Sequence, residues 1–170
     1  MSMNDVNPVL SWRADVIQDF ARSELFERTF QEGMDLVEET AGYLDGAGRQ
    51  ESKMLSRNAA LAYASESMRL TTRLMQVASW LLVQRAVREG DMARADALHD
   101  RYRLGSREIC LGVCAEETDP LPVQLRDLLD RSENLYRRIA RLDDDLFGEG
   151  EAPAGARGQL DALAQAFGRQ

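Results

Sequence analysis

The chain has 170 residues, of which 44% are hydrophobic and 29% are charged, and this balance is typical of one folded domain rather than a disordered chain. Its 21 basic and 29 acidic residues give a formal net charge of −8, which repels phosphate backbones and anionic lipid headgroups. We therefore expect neither nucleic acid nor a membrane as a partner.

The apolar runs of the sequence are too short for a membrane-spanning helix, which needs about 20 apolar residues. The N-terminus up to Pro8 has no basic stretch followed by an apolar one, so nothing there marks the chain for export. We expect a cytoplasmic protein. In that reducing compartment the two cysteines, Cys110 and Cys114, are expected to be free thiols.

Residues 1–21 are loosely patterned and are predicted to form an N-terminal arm. A first helix is predicted from about Ser23 to Leu44, because apolar residues recur there at helical spacing. This stripe consists of Phe26, Phe30, Met34, Val37, Ala41 and Leu44. Gly46 and Gly48 follow, and they predict the end of the helix and a tight connection.

The second predicted helix is the longest, running from Ser56, with Ser52 or Ser56 as its cap, to Glu89 before Gly90. One apolar stripe on it consists of Leu61, Ala64, Met68, Thr71, Met75, Ala78 and Leu82. A second stripe consists of Ala60, Tyr63, Leu70, Leu74, Val77 and Leu81. Two stripes predict two buried faces, so we expect a central helix that contacts both neighbouring helices or a second subunit.

A shorter helix is predicted from Met92 to about Leu104, with Asp91 as its cap. Its inward residues are expected to be Ala95, Leu98 and Tyr102. Residues 105–119 contain two glycines and mixed polarity, and both a helical extension and a loop stay open there.

Pro120 and Pro122 predict the start of the last long helix. An apolar line with a 3.5-residue period follows, typical of helix bundles: Leu121, Leu125, Leu128, Ser132, Leu135, Ile139, Leu142 and Leu146. Three aspartates, Asp143 to Asp145, are expected to close it, and residues 148–170 to form a flexible C-terminal tail. The predicted fold is all-α, with residues 22–147 forming an antiparallel three-helix bundle around a long central second helix, plus a short extra helix.

Catalytic and metal-binding patterns are weak in this sequence. His99 is the only histidine, so no catalytic triad and no paired di-iron motif is available. The two cysteines lack the further ligands of a zinc site and are interpreted as small buried residues. The adjacent acidic residues are interpreted as solvated faces; they are Glu38 and Glu39, Glu116 and Glu117, and Asp143 to Asp145. We therefore predict a protein that is not an enzyme and holds neither metal nor cofactor.

Polar residues interrupt the apolar stripes of the second helix. They are Glu66, Arg69, Thr71, Thr72, Arg73, Gln76, Trp80, Gln84 and Arg85. Polar groups within so apolar a helix must be solvated or paired. Two interpretations stay open: ion pairs and hydrogen bonds inside the bundle, or a recognition surface with Trp80 as an anchor.

Two segments, residues 38–49 (EETAGYLDGAGR) and residues 61–92, resemble the family of the bacterial regulator of CtrA degradation. Residues 121–132 and 138–143 match more weakly, and together the likeness covers about residues 22–147. The resemblance implies an all-α bundle of three main helices that forms homodimers. It also implies a non-enzymatic adaptor that helps the ClpXP protease degrade cell-cycle regulators, together with a response-regulator priming factor and a cyclic-di-GMP-binding partner.

The candidate protein-binding residues form two groups. The first group lies at the corner after the first helix and consists of Tyr43, Asp45, Gly46 and Arg49. The second lies on the second helix and consists of Arg69, Thr72, Arg73, Gln76 and Trp80. We expect these residues to form or support the adaptor surface, or some of them to hold a homodimer together. A small-molecule sensor with a pocket lined by Met68, Met75, Trp80 and Arg73 is an alternative, as is a plain dimerisation module.

Overall fold

A computed structural model describes residues 23–112 and 120–147 of the chain. In chain order the helices are α1 (Glu24–Asp45), α2 (Ala47–Ser52), α3 (Arg57–Glu89), α4 (Arg94–Ala97), a 3-10 turn (Asp100–Tyr102), α5 (Arg107–Leu111) and α6 (Val123–Phe147). Every regular element within these two ranges is helical, so the predicted all-α class is confirmed for them. The predicted N-terminal arm, the C-terminal tail and Cys114 lie outside the described residues.

The ends of the long helices follow from local sequence signals. The Ser23 hydroxyl accepts a hydrogen bond from Phe26 N at 3.3 Å, and the Ser56 hydroxyl accepts one from Ala59 N at 3.2 Å, as N-cap residues do. Gly90 ends α3 with φ of 82°, a left-handed conformation that glycine adopts without a steric cost. The predicted starts of α1 and α3 and the predicted end of α3 are therefore confirmed.

Helix α3 packs against both α1 and α6 and also contacts the short elements α4 and α5. Its second predicted stripe is buried from Tyr63 to Leu81, with Ala60 half-buried. The first stripe faces solvent within one chain: Leu61, Met68, Met75 and Leu82 are exposed. Of the two predicted buried faces, one chain buries only one.

The buried face of α1 differs from the predicted stripe in its second half. Phe26 and Phe30 are buried as expected, but Val37 and Ala41 are exposed. The buried residues are Phe26, Thr29, Phe30, Gly33, Leu36, Thr40 and Tyr43. Both the predicted stripe and the observed buried set keep helical spacing. The close approach of α3 decides which set is buried, since a side-chain methyl of Leu81 lies 2.9 Å from where a Cβ on Gly33 would stand.

The connections contain more helix than the glycines and prolines predict. The expected tight turn after Asp45 is a bend at Gly46 followed by α2. The expected helix from Met92 to Leu104 is instead the four-residue α4 and the 3-10 turn. Ala97 and Leu104 are buried there, whereas the predicted inward residues Ala95 and Leu98 are exposed and Tyr102 is half-buried.

Helix α6 buries the predicted apolar line from Leu125 to Ile139, and Leu142 and Leu146 are half-buried. Leu121, the first residue of the line, is buried just before the helix begins. It does not end at the three aspartates but continues to Phe147. Asp143 is fully buried, so the interpretation of these aspartates as a solvated face is wrong at this position. The burial has a physical reason, because hydrogen-bond donors of other elements converge on the Asp143 carboxylate.

Within residues 23–112 and 120–147, no helix has both the length and the apolar character that crossing a lipid bilayer requires.

Candidate functional site

Residues 103–112, here called the docked segment, lie against α3 and α6 and are held by buried polar side chains. Arg73 of α3 is 2% exposed. Its Nε and Nη2 donate to Cys110 O at 3.0 and 2.7 Å, and its Nη1 donates to Leu129 O at 3.0 Å and Ser132 Oγ at 2.8 Å. The guanidinium therefore joins α3, α5 and α6 at one point.

Burial lowers the pKa of Arg73, and the Glu133 carboxylate, 3.6 Å from Nη2, opposes that shift. A guanidinium keeps its charge even so, because its ordinary pKa lies far above neutrality. The charge is placed favourably, since carbonyl groups at the C-terminal end of a helix such as α5 attract cations.

Arg69 repeats this contact one turn earlier on α3. Its Nη1 donates to Gly112 O at 2.5 Å, and its Nη2 lies 3.6 Å from the carboxylate of Glu66, which is 4% exposed. Two arginines on successive turns thus bind backbone carbonyls at the end of the docked segment.

The backbone of the half-buried Gly105 is held by side chains of α3 and α6. Its N–H donates to Gln76 Oε1 at 3.0 Å, and its carbonyl accepts from Tyr136 Oη at 2.8 Å. A Cβ at this position would stand 3.0 Å from Gln76 Oε1. Glycine therefore allows the backbone to approach α3 this closely.

Trp80 and Asp143 fix the beginning of the docked segment. Asp143 Oδ1 accepts from Trp80 Nε1 and from Leu104 N, both at 3.0 Å, and Oδ2 accepts from Arg107 at 3.1 Å. Burial raises the pKa of Asp143, and these donors oppose the shift. Arg107 also forms a two-pronged contact with Asp144, at 2.6 and 3.1 Å.

Arg69, Arg73, Gln76 and Trp80 therefore face the docked segment rather than solvent. Their hydrogen bonds match the interpretation of pairing inside the bundle. The outer side of the docked segment carries Ile109, which is 55% exposed.

The corner group is divided between interior and surface. Tyr43 is 3% exposed, and its hydroxyl donates to Glu51 Oε2 at 2.7 Å, which ties the last turn of α1 to α2. Burial and then the Glu51 carboxylate raise the pKa of Tyr43. Asp45, Gly46 and Arg49 are exposed at the same corner.

The remaining candidates lie on different sides of α3. Thr72 is half-buried beside the exposed face. Met68 and Met75 are on that exposed face, whereas Arg73 and Trp80 are buried on the opposite side. The predicted sensor pocket is therefore wrong in its lining, because residues at these spacings on one helix point in opposite directions.

Within the described ranges, no group of three or more His, Cys, Asp or Glu side chains is placed to hold a metal ion. His99 is exposed, and its Nδ1 accepts from Arg101 N at 3.3 Å. Cys110 is buried, and burial raises its pKa, which suppresses the reactive thiolate. The buried polar side chains of α3 therefore bind backbone and side-chain groups of their own chain.

Sequence reasoning missed the partners of the polar residues on α3. Asp143, Gly105 and Tyr136 are not among the candidate residues, and Ser132 lies in the predicted apolar line. A serine at a core position of an otherwise apolar seam was the available signal, because a buried hydroxyl requires a partner.

Residues 17–167 match the family described as "Protein of unknown function (DUF1465)". The crystal structure of RcdA from Caulobacter crescentus CB15 is similar to the chain, with 61% sequence identity and a TM-score of 0.64. The match covers 78% of this chain and 99% of the RcdA chain. No curated protein matches the chain.

Proposed function

The chain belongs to the RcdA family, and from this premise we propose that it is a non-enzymatic adaptor in regulated proteolysis. In this proposal it assists ClpXP in the cytoplasm in degrading cell-cycle regulatory proteins. Its partners are the protease machinery, a response-regulator priming factor and a cyclic-di-GMP-binding adaptor. The observation that carries the proposal is the sequence identity to RcdA over nearly the whole of that chain.

The docked segment supports this proposal as a preorganised binding surface. Ile109 and Glu108 are exposed on its outer side, while Arg73 and Asp143 hold its backbone from inside. A surface that is already ordered loses little conformational entropy when a partner binds. An adaptor gains from this because several weak contacts raise the local concentration of a substrate without any chemistry.

The exposed corner residues Asp45, Gly46 and Arg49 form a second part of the proposed surface. The part-buried hydrogen bond from the Tyr43 hydroxyl to Glu51 connects α1 to α2 and so positions these residues. We assign Tyr43 a positioning role and Arg49 a contact role.

The proposed molecule is an antiparallel three-helix bundle that works as a homodimer. The packing of α3 on α1 and α6, and of α1 on α6, supports the bundle. The solvent-facing apolar stripe of α3 supports a second subunit, because apolar surface of this kind is found where proteins associate.

A reconstituted degradation assay tests the adaptor function. ClpXP, the priming factor, the cyclic-di-GMP-binding adaptor and a labelled cell-cycle regulator are mixed with or without the full chain, and the initial rate of substrate loss is measured. We expect the chain to raise this rate. We expect Ile109→Asp and Arg49→Glu to reduce the increase several-fold, because each places a charge change on the proposed surface.

Arg141→Glu is the matched control, since Arg141 is exposed on α6 and belongs to neither part of the proposed surface. It should leave the rate unchanged, and thermal unfolding should show all three variants folded. An unaltered degradation rate with and without the chain, for every cell-cycle regulator tried, would refute the adaptor proposal.

A further inference from the structure

An open groove lies between the turn after α2 and the start of α6. Its lining includes the buried Leu121 and the half-buried Leu55. Met54 and Val123 also line it and are 87% and 73% exposed, the two highest values among large apolar side chains in the part of the chain that the structure describes. The groove has a volume of about 1050 Å³, which exceeds the usual size of a small-molecule pocket and leaves room for a short peptide.

Two prolines, Pro120 and Pro122, form part of one wall of this groove. Along an extended backbone, every second residue points its N–H to the same edge. Proline has no N–H, so this wall lacks the donors with which a sheet edge holds an added strand. Recognition in the groove therefore depends mainly on side chains.

Four exposed cationic residues lie in the lining of the groove or within two residues of it in the chain: Arg49, Lys53, Arg57 and Arg126. Within the described part of the chain, none of the four forms an ion pair. Most other arginines of the long helices are paired with carboxylates there. The groove thus lies among cations that are free to bind an anionic partner.

The two carboxylates that line the groove are already engaged. Glu51 Oε2 accepts from the Tyr43 hydroxyl at 2.7 Å, and Asp127 Oδ2 accepts from Arg131 Nη1 at 3.0 Å. Positive charge therefore exceeds negative charge among the described residues of the groove, although the whole chain has a net charge of −8. Apolar surface and uncompensated positive charge occur together here.

We propose that this groove binds a short segment of a partner protein in which large apolar side chains stand beside aspartate or glutamate. The apolar side chains pack against Met54 and Val123, and the carboxylates pair with the four cations. This inference rests on the proposed adaptor function and deepens it. Arg49 belongs to the corner part of that surface, and the groove specifies the chemistry of the segment bound there.

An anionic membrane offers negative charge as well, but the shape and the overall charge favour a peptide. A lipid surface is broad and flat, whereas the apolar residues here line a concave groove. The net charge of −8 also repels anionic headgroups from the molecule as a whole.

A peptide selection on the full chain tests the proposal. A phage library of random peptides of about twelve residues is selected against the immobilised chain, a length that matches a short bound segment. We expect enriched peptides to combine carboxylates with leucine, methionine or aromatic residues. The affinity of labelled copies is then measured by fluorescence anisotropy, and raising NaCl from about 50 to about 500 mM should weaken it, because salt screens exposed charges.

Charge variants locate the binding in the groove. Lys53→Glu and Arg126→Glu should each weaken binding of the enriched peptides at least about fivefold, because charges at an interface edge are complementary. Met54→Ser should weaken it without changing its salt dependence. Arg141→Glu is the matched control for Arg126→Glu, since both arginines are exposed on α6 without an ion pair in the described ranges. It should leave the affinity unchanged, and circular dichroism should show all variants folded.

Several results would overturn the inference. These are a selection without enrichment, enriched peptides that lack carboxylates, and binding that both charge variants retain. The chain may instead sediment with phosphatidylserine vesicles but select no peptide, which would assign the cations to a membrane. Variants that turn a dimer into a monomer in analytical ultracentrifugation would assign the groove to a second copy. Failure of the degradation assay with intact peptide binding would refute the adaptor function alone.

Discussion

Replacing Arg73 by methionine removes the central connection between α3, α5 and α6. Methionine keeps most of the side-chain volume, so the change deletes hydrogen bonds rather than creating a large cavity. Cys110 O loses both arginine donors, and Leu129 O and Ser132 Oγ lose one each. The buried Cys110 carbonyl then lacks both side-chain donors, whereas Leu129 O still accepts from Ser132 Oγ at 2.9 Å.

The expected loss of stability is about 3 kcal/mol. A buried acceptor left without a partner costs about 1–3 kcal/mol, and the bonds share one guanidinium, so their contributions do not simply add. For a chain of this length such a loss lowers Tm by roughly 10 °C. Arg73→Lys keeps the charge but not the planar fork, so its loss should be intermediate.

Urea unfolding measures this loss, and hydrogen exchange locates it. Arg137→Met is the matched control, because Arg137 forms an exposed pair with Glu133 within one helix, and such a pair contributes at most about 1 kcal/mol. The hydrogen-exchange rates of the Leu104 and Gly105 amides should rise more from wild type to Arg73→Met than those of amides in the α1 core. Equal stability of Arg73→Met and Arg137→Met would refute the assigned role of the buried guanidinium.

Three further predictions concern the same core. Asp143→Ala should cost about 2–4 kcal/mol in urea unfolding because it strands the Trp80 and Leu104 donors; Asp143→Asn should cost less. The pKa of Asp143 is raised in the folded state, so the native protein takes up the proton more readily than the unfolded chain. The free energy of unfolding of the wild type relative to Asp143→Asn should therefore fall as pH rises from about 4. A difference that grows with pH would contradict a raised pKa for Asp143. Gly48→Ala should lower Tm, because its Cβ would stand 2.5 Å from the Tyr63 hydroxyl, whereas Gly42→Ala, with nothing within 4 Å, should raise stability by up to about 1 kcal/mol. The Cys110 thiol should be alkylated slowly in the wild-type chain and many-fold faster in Arg73→Met. Peptide mass spectrometry distinguishes Cys110 from Cys114. Equal alkylation rates of Cys110 in the two proteins would show that Arg73 does not hold the docked segment in place.

The starts of α1 and α3 and the end of α3 could be predicted because their signals are local. Ser56 and the amide it caps are three residues apart, and Gly90 adopts its conformation within a single residue. Burial on α1 could not be predicted to the residue, because Val37 and Leu36 both lie on plausible helical stripes. Which of them is inside depends on the approach of α3, which the sequence of α1 does not contain.

The candidate site shows the same limit more clearly. Arg73 and Trp80 could be selected from sequence as polar residues that needed partners, but those partners are 37 to 63 residues away. The sequence predicts Asp143 to be one of three solvated aspartates, because its hydrogen-bond donor Leu104 N is 39 residues away in the chain. Only the tertiary arrangement decides between a paired interior and a recognition surface.

The contacts of Arg73 with Ser132 and of Trp80 with Asp143 have a consequence for how α3 can slide along α6. Leucine and isoleucine side chains have similar volumes. A purely apolar contact between two helices therefore tolerates a shift by one helical turn at a modest cost in stability. The two polar contacts are about 10 Å apart along α3 at 1.5 Å rise per residue. Both can form only in a single alignment of the two helices. Every other alignment leaves the buried Arg73 guanidinium and the Asp143 carboxylate without these partners. The two contacts therefore fix the register of α3 against α6.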